Sequence, residues 1–412
     1  MPGVRSYIRN YFIYGLLAFS YFLACMLRTS GGIIFPDVSN TVKLTSAAIG
    51  LVSGMYFYGY TLIQPFSGTL CDRKGPLLIE SLFLFMFAAG LYLFAVAENT
   101  FMLCAARFLI GLGAGPTFSG ILVYQAKAFP DGLYSKLTGA TVTLGHLGGV
   151  VSITPLGWAV DRWGYRNIHM FLAAVTFLVA ASLYFLKGSY RSDSAAEERK
   201  LNFLRGFAII SRSRPLRTLL LLWVMGMLLH LNLMGLWGVI WIQKVSGAAV
   251  GHARLCMSSG GVGVLIGAVL CGIFGNSLAG SQRYIRSSCA ALCAFLLVLT
   301  ICIELKCPWL IFLTVSFFLG IVIGAVNVMC NIFAYRIVGS DDIGTAIGAA
   351  NLVIFLSVLL SQWFSGAFIH FYDKHIGIAC ISPYAVFFLI ICVLLLITLS
   401  ALCRTPLVSD AE

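Results

Sequence analysis

Charged side chains are scarce in this sequence. Asp, Glu, Lys and Arg together make up 10% of its 412 residues, whereas soluble domains carry about 25%. Hydrophobic residues make up 60% of the chain, and the mean hydropathy is +0.95. So little charge does not provide the hydrated surface of a soluble globular protein. The composition therefore predicts a protein embedded in the lipid bilayer.

Motifs of catalysis and nucleotide binding are also missing. The thirteen cysteines do not have the spacing of metal ligands. The sequence contains neither a nucleophile motif nor a Gly-x4-Gly-Lys-Ser/Thr loop for ATP. We therefore expect no enzymatic activity, no cofactor and no metal ion. The net charge of +12 lies mainly in short loops beside apolar runs, which indicates membrane topology rather than nucleic-acid binding.

Twelve apolar runs are long enough to cross a bilayer, which takes ~20 residues as helix. Their approximate ranges are 11–35, 46–70, 77–97, 101–125, 136–158, 167–187, 218–243, 256–279, 287–303, 308–332, 343–370 and 383–403. The sequence therefore predicts an all-α integral membrane protein with twelve transmembrane helices.

One long polar connection, from 188 to 217, divides these spans into two groups of six. We expect an N-terminal bundle over 1–187, a cytoplasmic linker over 188–217 and a C-terminal bundle over 218–412. With the N-terminus inside, eighteen of the 27 basic residues lie on the inner side and seven on the outer side. This bias places both termini in the cytoplasm. We expect a monomer in the plasma membrane.

Four motifs occur in order along the first five spans. They are Gly68-x-x-x-Asp72-Arg73-x-Gly75 after span 2, Arg107-x-x-x-Gly111-x-Gly113-x-Gly115 in span 4, Gly145-His146-Leu147-Gly148-Gly149 with Pro155-Leu156-Gly157 in span 5, and Asp161-Arg162-x-Gly164-Tyr165-Arg166 beyond it. On a pattern of six plus six spans, this set resembles the major facilitator superfamily of transporters. A weaker copy of the first motif, Gly272-x-x-x-Asn276, follows span 8.

The resemblance implies two six-helix bundles around a central cavity, built as a repeat. It also implies secondary transport in which the two halves rock and expose a midplane site to each side in turn. Tyr21-x6-Arg28, Tyr56-Phe57-Tyr58 and Leu236-Trp237-Gly238 are similar to segments of the phagosomal-type nutrient and amino acid transporters. The arginine in span 1 is also similar to that of the organophosphate and sugar-acid transporters.

Arg28 is the strongest candidate for substrate binding. A charge at a helix centre costs ~2.5–3.5 kcal/mol on insertion scales and should therefore face protein or a watery cavity. Its guanidinium offers a bidentate fork to a carboxylate or phosphate. The alternative is a structural arginine bonded to helix carbonyls. Tyr21 shares the helix face of Arg28, while Tyr56, Tyr60 and Gln64 recur every four residues on span 2. These side chains form either the wall of a cavity or packing between helices.

The C-terminal half offers neutral polar side chains instead of charge. The candidates for substrate binding there are His230, Trp237, Asn327, Asn331 and Asn351. An isolated asparagine in a span more often forms a hydrogen bond between helices than a contact with substrate. The asymmetry between the halves suits a substrate with an anionic end and a polar or aromatic remainder.

Gating and coupling candidates complete the predicted site. Asp72 and Arg73 belong to the loop motif, whose aspartate the resemblance implies joins the inner ends of the two halves. Arg107 is interpreted as a structural or coupling residue. We expect Glu80 to pair with basic residues of the loop. Proton coupling would depend on Glu80, on the substrate or on His146. The alternative for His146 is a core histidine whose hydrogen bonds are satisfied within the protein.

The sequence therefore favours a secondary transporter of a small organic anion, either an amino acid, an organic or sugar acid, or an organophosphate. Symport with protons, exchange and facilitated diffusion all stay open. A drug or nucleoside transporter of the same family is one alternative. A transporter-like nutrient sensor is another.

Overall fold

A computed structural model describes residues 4–189, 203–278, 282–338, 343–375 and 382–406. Within these ranges the chain is helical and contains no strand. The helices are α1 (Val4–Thr29), α2 (Gly31–Val42), α3 (Ser46–Lys74), α4 (Pro76–Val96), α5 (Thr100–Ala114), α6 (Thr117–Ala128), α7 (Asp131–Val151), α8 (Thr154–Trp163), α9 (Tyr165–Leu186), α10 (Phe203–Arg212), α11 (Arg214–Leu228), α12 (Gly238–Ser246), α13 (Val250–Leu278), α14 (Gln282–Glu304), α15 (Trp309–Val338), α16 (Ile343–His375) and α17 (Pro383–Arg404).

The predicted membrane spans are present. Among the described residues, eleven helical stretches are long and apolar enough to cross a bilayer, and a bent pair raises the number to twelve. Span 7 is the continuous stretch Arg214–Ser246, in which a π-helical segment, Leu229–Trp237, joins α11 to α12. The predicted all-α membrane fold is thereby confirmed.

Span 1 is broken where the sequence predicted one helix over 11–35. The helix α1 ends at Thr29, and α2 starts at Gly31. The Ser30 hydroxyl donates to the Leu27 carbonyl at 3.0 Å, and two glycines follow it in the chain. Back-bonding serines bend helices and glycines weaken them. The local sequence Ser-Gly-Gly therefore explains the break.

Two further spans contain breaks that hydropathy alone did not predict. Span 4 divides into α5 and α6 at Gly115 and Pro116, because a proline lacks the amide hydrogen that a helix interior needs. Span 5 was predicted as one helix over 136–158. It consists of Lys136–Val151 and Thr154–Trp163, which meet at 46° just before Pro155.

Two Asp-Arg-x-Gly motifs end their helices in the same way. Gly75 follows α3 with φ 86° and ψ 136°, and Gly164 follows α8 with φ 78° and ψ 148°. Only glycine adopts this combination without strain. Each glycine therefore allows the next helix, α4 or α9, to begin immediately.

The helices group into two compact units, which are described separately. Unit 1 comprises Met1–Ser30, Asp37–Leu44 and Leu51–Leu201. Unit 2 comprises Gly31–Pro36, Thr45–Gly50 and Asn202–Glu412. The predicted division at the linker 188–217 stays a prediction. Much of that linker, 190–202, lies outside the described residues, and the part from Phe203 onward forms α10.

In unit 1, glycines let α3, α4 and α5 approach closely. A Cβ on Gly111 would overlap the Tyr56 carbonyl, and a Cβ on Gly59 would lie 2.6 Å from the Leu112 nitrogen. A Cβ on Gly113 would lie 2.6 Å from the Phe87 nitrogen. Small residues at such crossings are typical of membrane helix packing. The glycine spacing of span 4 therefore fixes the positions of the α3 tyrosines.

In unit 2, α13 and α15 cross in the same manner. Gly320 lies against the Gly260 backbone, with its ideal Cβ 2.9 Å from the Gly260 carbonyl carbon. Gly324 lies against Val264, whose carbonyl carbon is also 2.9 Å from the ideal Cβ. The packing of span 8 on span 10 thus repeats that of span 2 on span 4.

Candidate functional site

One face of α1 holds the candidate arginine. Tyr21, Cys25 and Arg28 follow one another at intervals of four and three residues, which places them on one side of a helix. The Arg28 Nη2 donates to the Cys25 sulfur at 3.6 Å. Both Arg28 and Tyr21 are half-buried. Arg28 lies in the last turn of α1, at the break in span 1, rather than at the centre of a continuous helix as the sequence suggested.

The α3 tyrosines complete the surroundings of Arg28. The Tyr56 and Tyr60 rings stack with centroids 6.0 Å apart. The Tyr56 hydroxyl donates to the Ala24 carbonyl at 3.2 Å, which ties α3 to α1. Electrostatic interactions join Arg28 to the phenols of Tyr21, Tyr56 and Tyr60. We call these four residues the Arg28 cluster; it lies wholly within unit 1.

The glycine-histidine motif of α7 borders the Arg28 cluster. A Cβ on Gly145 would lie 2.5 Å from the Tyr21 ring, so glycine is required for this approach. The next residue, His146, is half-buried and interacts electrostatically with Arg28. The structure therefore brings His146 to the candidate site.

Gln64 makes a different contact from those of Tyr56 and Tyr60. Its side-chain amide donates to the Gly115 carbonyl at 3.2 Å, at the break between α5 and α6. The amide group is therefore used in helix packing. It also interacts with Tyr60, which keeps it at the border of the Arg28 cluster.

Arg107 contacts both the end of α1 and Tyr56 of the Arg28 cluster. It is buried, its Nη1 donates to the Leu27 carbonyl at 3.0 Å, and its guanidinium lies 5.1 Å from the Tyr56 ring centroid. The carbonyl of Leu27 is one of those left at the end of α1. This geometry fits the structural role that the sequence favoured. Cys25, which is not among the candidates from the sequence, contacts Arg28 and also belongs to the site.

The loop-motif residues lie at the end of α3. Asp72 is half-buried and Arg73 is exposed in its last turn. That Asp72 joins the inner ends of the two halves stays a prediction. The expectation that Glu80 pairs with basic loop residues is wrong among the described residues. The Glu80 side chain is fully buried, and neither carboxyl oxygen has a hydrogen-bond partner there.

In unit 2 the polar groups collect between the π-helical segment and α16. Asn232 donates to the Leu228 carbonyl at 3.2 Å and to the Ser361 hydroxyl at 3.1 Å. Gln362 donates to the Leu231 carbonyl at 3.3 Å. Within the described ranges, the amide oxygens of Asn232 and Gln362 are buried and accept no hydrogen bond. π-Helical turns are frequent at functional sites.

The other unit 2 candidates differ in their surroundings. Trp237 is buried and donates to the Ser365 hydroxyl at 2.9 Å, so its indole joins two helices. His230, Asn327 and Asn351 are half-buried, whereas Asn331 is exposed and donates to the Asn327 carbonyl of its own helix. Gln362 and Ser361, which adjoin Asn232, were not among the predicted ligands. Their polarity within an apolar span was the available signal.

In the described part of the chain, His, Cys, Asp and Glu residues form no group of three that is able to hold a metal ion. The Arg28 cluster combines a guanidinium with phenol groups. Guanidinium and phenol groups are hydrogen-bond donors, which suit an anion.

Sequence comparison finds transporters among the curated relatives. A probable sulfoacetate transporter, SauU, from Cupriavidus necator is 25% identical over 170 residues, which are 40% of this chain and 39% of that protein. A probable chloroplastic anion transporter from rice is 28% identical over 32% of this chain and 25% of that protein. The quinolone resistance protein NorA of Staphylococcus aureus is 29% identical over 27% and 29%. The alignments thus span less than half of each relative.

Solved structures of similar fold cover nearly the whole chain. A D-xylose-proton symporter has a TM-score of 0.75 at 14% identity, covering 98% of this chain and 99% of that one. A bacterial homologue of the human lysosomal transporter Spinster, inward-facing and unoccupied, has a TM-score of 0.72 at 15% identity, covering 96% and 98%. At this identity the likeness establishes the fold.

The family profile described as Major Facilitator Superfamily matches residues 17–362. That range contains the four motifs, the break in the first span and the Arg28 cluster. The family consists of transporters rather than enzymes, in agreement with the sequence. The chain therefore belongs to the Major Facilitator Superfamily, a family of multi-pass membrane transporters.

Proposed function

We propose that this transporter carries a small organic anion across the membrane by alternating access. The anion bears a carboxylate or a comparable oxyanion, as in amino acids, organic and sugar acids, and organophosphates. The Arg28 cluster is the observation that carries this proposal. It places a half-buried guanidinium among three tyrosine phenols within the membrane-spanning part of unit 1.

The chemistry of the cluster favours anions over neutral or cationic solutes. A guanidinium binds oxyanions through two parallel hydrogen bonds, and phenols add further donors. The positive charge of Arg28 would also repel cations.

The relatives support the anionic class. Two of the three named above are described as a sulfoacetate transporter and an anion transporter. Sulfoacetate carries a sulfonate and a carboxylate. Each group has two oxygens that a guanidinium can bind through two parallel hydrogen bonds. It is therefore a suitable first probe.

A thermal-shift screen tests the proposal. Purified wild type is heated with sulfoacetate, an amino acid, a sugar phosphate or an uncharged sugar. A bound ligand raises the melting temperature by mass action. We expect an anion to stabilise the wild type and Arg212→Ala, whose residue is exposed on α10, but not Arg28→Ala. Equal stabilisation of wild type and Arg28→Ala would contradict a substrate-binding role of Arg28.

Drug export is the second candidate, because NorA is among the relatives and because aromatic side chains line the Arg28 cluster. Cells expressing the protein would then accumulate less ethidium than cells expressing an empty vector. Positive charge at Arg28 opposes this function, since ethidium is a cation. Arg28→Ala would in that case leave ethidium export intact or increase it.

A further inference from the structure

Glu80 lies in the second turn of α4 and has an unusual environment. Its side chain is 0% exposed. Neither carboxyl oxygen has a hydrogen-bond partner within the described ranges. An ionised carboxylate that is removed from water without a partner is so unfavourable that the group exists as the neutral acid. In this conformation Glu80 therefore carries a proton.

The niche of the carboxyl is built from two other helices of unit 1. Gly120 of α6 lies directly against it: an added Cβ would overlap Oε1 and lie 2.8 Å from the Glu80 Cγ. Cys71 of α3 is also buried and interacts electrostatically with Glu80. A side chain at position 120 would fill the space that the carboxyl occupies. The close fit of α3, α4 and α6 is therefore what excludes water from Glu80.

The helices that pack against α4 carry other titratable groups. None of these groups neutralises a negative charge on the Glu80 carboxyl. In the α3 turn beside the niche, Cys71 and Asp72 are acids, and the two bases that follow them, Arg73 and Lys74, are exposed at the end of the helix. Arg107 of α5 is directed to the Leu27 carbonyl, and Tyr124 of α6 donates to the Asn10 side chain at 3.4 Å. The remaining titratable groups on α5, α6 and α9 are Cys104, Lys127, Tyr165, Arg166, His169 and Tyr184.

Distance and direction separate the α9 groups from Glu80. His169 stacks on Phe94, with ring centroids 4.5 Å apart. Phe94 lies fourteen residues after Glu80 in the same helix, or about 21 Å along its axis. Tyr184 has the Lys187 ammonium 3.4 Å from its ring centroid, and Lys187 lies beyond the end of α9. A proton, rather than a fixed cation, therefore neutralises the carboxyl.

We propose that Glu80 is the proton-binding site of this transporter. Its carboxyl holds a proton while α3, α4 and α6 are packed as described. When that contact opens, water reaches the niche, the proton leaves to the solvent and a carboxylate remains. The Asp-Arg-x-Gly turn, with Gly75 at φ 86°, joins α3 to α4 beside the niche, so movement of this loop alters the contact. Proton release is thereby linked to the conformational change that carries the solute.

Infrared difference spectroscopy of the purified protein tests the protonation directly and needs no substrate. We expect the C=O stretch of a protonated carboxyl near neutral pH in the wild type. Glu80→Gln, a neutral isostere, removes the band, while Asp72→Asn retains it. Gly120→Ala shifts the band, because the added methyl crowds the same carboxyl. Absence of a protonated-carboxyl band that depends on Glu80 would overturn the proposal, whether or not the protein transports anions.

The coupling itself rests on the proposed transport function and is measured in proteoliposomes with labelled sulfoacetate as the probe. Exchange moves no net proton, so the proton-driven accumulation of sulfoacetate by each variant is expressed relative to its exchange. We expect Glu80→Gln to lower this ratio at least about tenfold, the factor that one unit of pH gradient supplies. Accumulation by Glu80→Gln at the wild-type level would overturn the coupling role. If neither protein exchanges sulfoacetate, the amino acid and sugar phosphate probes replace it, and the infrared result still decides the state of Glu80.

Discussion

The two units share a packing scheme but differ in their buried polar groups. In unit 1, Gly111 lies against the Tyr56 backbone, and in unit 2, Gly324 lies against the Val264 backbone. Unit 1 holds Glu80 and Arg107 buried and Arg28 half-buried inside its spans. Among the described residues of unit 2, the buried polar side chains are neutral except for Arg254, near the start of α13.

The two units therefore show that the same helix crossings can carry different buried polar groups, so the crossings do not determine the chemistry of the site. Glycine crossings depend on backbone approach and recur wherever two spans must pack closely. Ionisable groups inside a membrane are costly and are kept where they have a task. Binding and coupling are therefore expected to depend on unit 1 charges, while unit 2 contributes neutral hydrogen bonds.

The largest expected effect tests what the units share. Gly111→Val and Gly324→Val each place a side chain into the backbone of a neighbouring helix, so each should destabilise the protein by ~3 kcal/mol or more. Thermal unfolding in detergent measures the loss.

The controls are Gly139→Val in α7 and Gly348→Val in α16, because nothing lies within 4 Å of a Cβ at either position. We expect both to unfold close to the wild-type temperature. A mild effect of Gly324→Val beside a severe one of Gly111→Val would show that the crossings are not equivalent.

The second prediction introduces charge into unit 2. Asn232→Asp places a carboxylate where the amide now donates to the Leu228 carbonyl at 3.2 Å. A carboxyl buried beside a carbonyl oxygen must either stay charged there or take up a proton on folding, and either one lowers stability at neutral pH, here by about 2 kcal/mol. The loss should shrink as the pH falls, because protonation removes the charge. A melting curve recorded at several pH values measures both effects.

Asn232→Leu is the matched neutral variant, and its stability should not depend on pH in this way. If Asn232→Asp melts like the wild type at all pH values, unit 2 tolerates charge, and the contrast between the units is wrong at this position.

The third prediction sharpens the role of charge in unit 1. Arg28→Lys keeps the positive charge but loses the planar fork of donors. We expect anion affinity to fall about tenfold, equivalent to about 1.4 kcal/mol. Titration of the stabilising anion by thermal shift measures the dissociation constant.

Arg28→Ala should lose measurable binding, which places Arg28→Lys between it and the wild type. Equal affinities of Arg28→Lys and wild type would mean that charge alone, without the fork, determines binding.

The smallest expected effect isolates one hydrogen bond of unit 2. Trp237→Phe removes the 2.9 Å bond from the indole to Ser365. Trp241→Phe removes a buried indole nitrogen that has no hydrogen-bond partner among the described residues. Both changes remove the same ring volume. Trp237→Phe should therefore be less stable than Trp241→Phe by about 1 kcal/mol. Equal melting temperatures would contradict a stabilising role of this bond.

Much of the fold could be read from local sequence. Long apolar runs separated by short basic loops predicted the spans, since a bilayer requires helices of a minimum length. The positions of Gly75 and Gly164 within Asp-Arg-x-Gly motifs matched turns that only glycine adopts. The break at Ser30 was missed because hydropathy is insensitive to backbone geometry, and Ser-Gly-Gly is apolar enough to pass as helix.

The candidate site was predictable only in part. Helix periodicity placed Tyr21 and Arg28 on one face and aligned Tyr56 with Tyr60, because such pairs depend on one helix at a time. The partners of Gln64 and Trp237 belong to other helices, and spacing along the chain carries no information about them. Both residues turned out to donate hydrogen bonds to neighbouring spans.

The sequence by itself determined the membrane class, the number of spans and the presence of an arginine inside the first of them, because hydropathy and charge act locally. Only the tertiary structure decided which groups surround that arginine and that Glu80 has no basic partner among the described residues. The physical reason is that burial and hydrogen bonding are properties of packed helices. In the sequence, Glu80 follows the bases Arg73 and Lys74 closely, which suggested an ion pair. In the structure, the rotation of α4 directs the Glu80 carboxyl toward Gly120 instead.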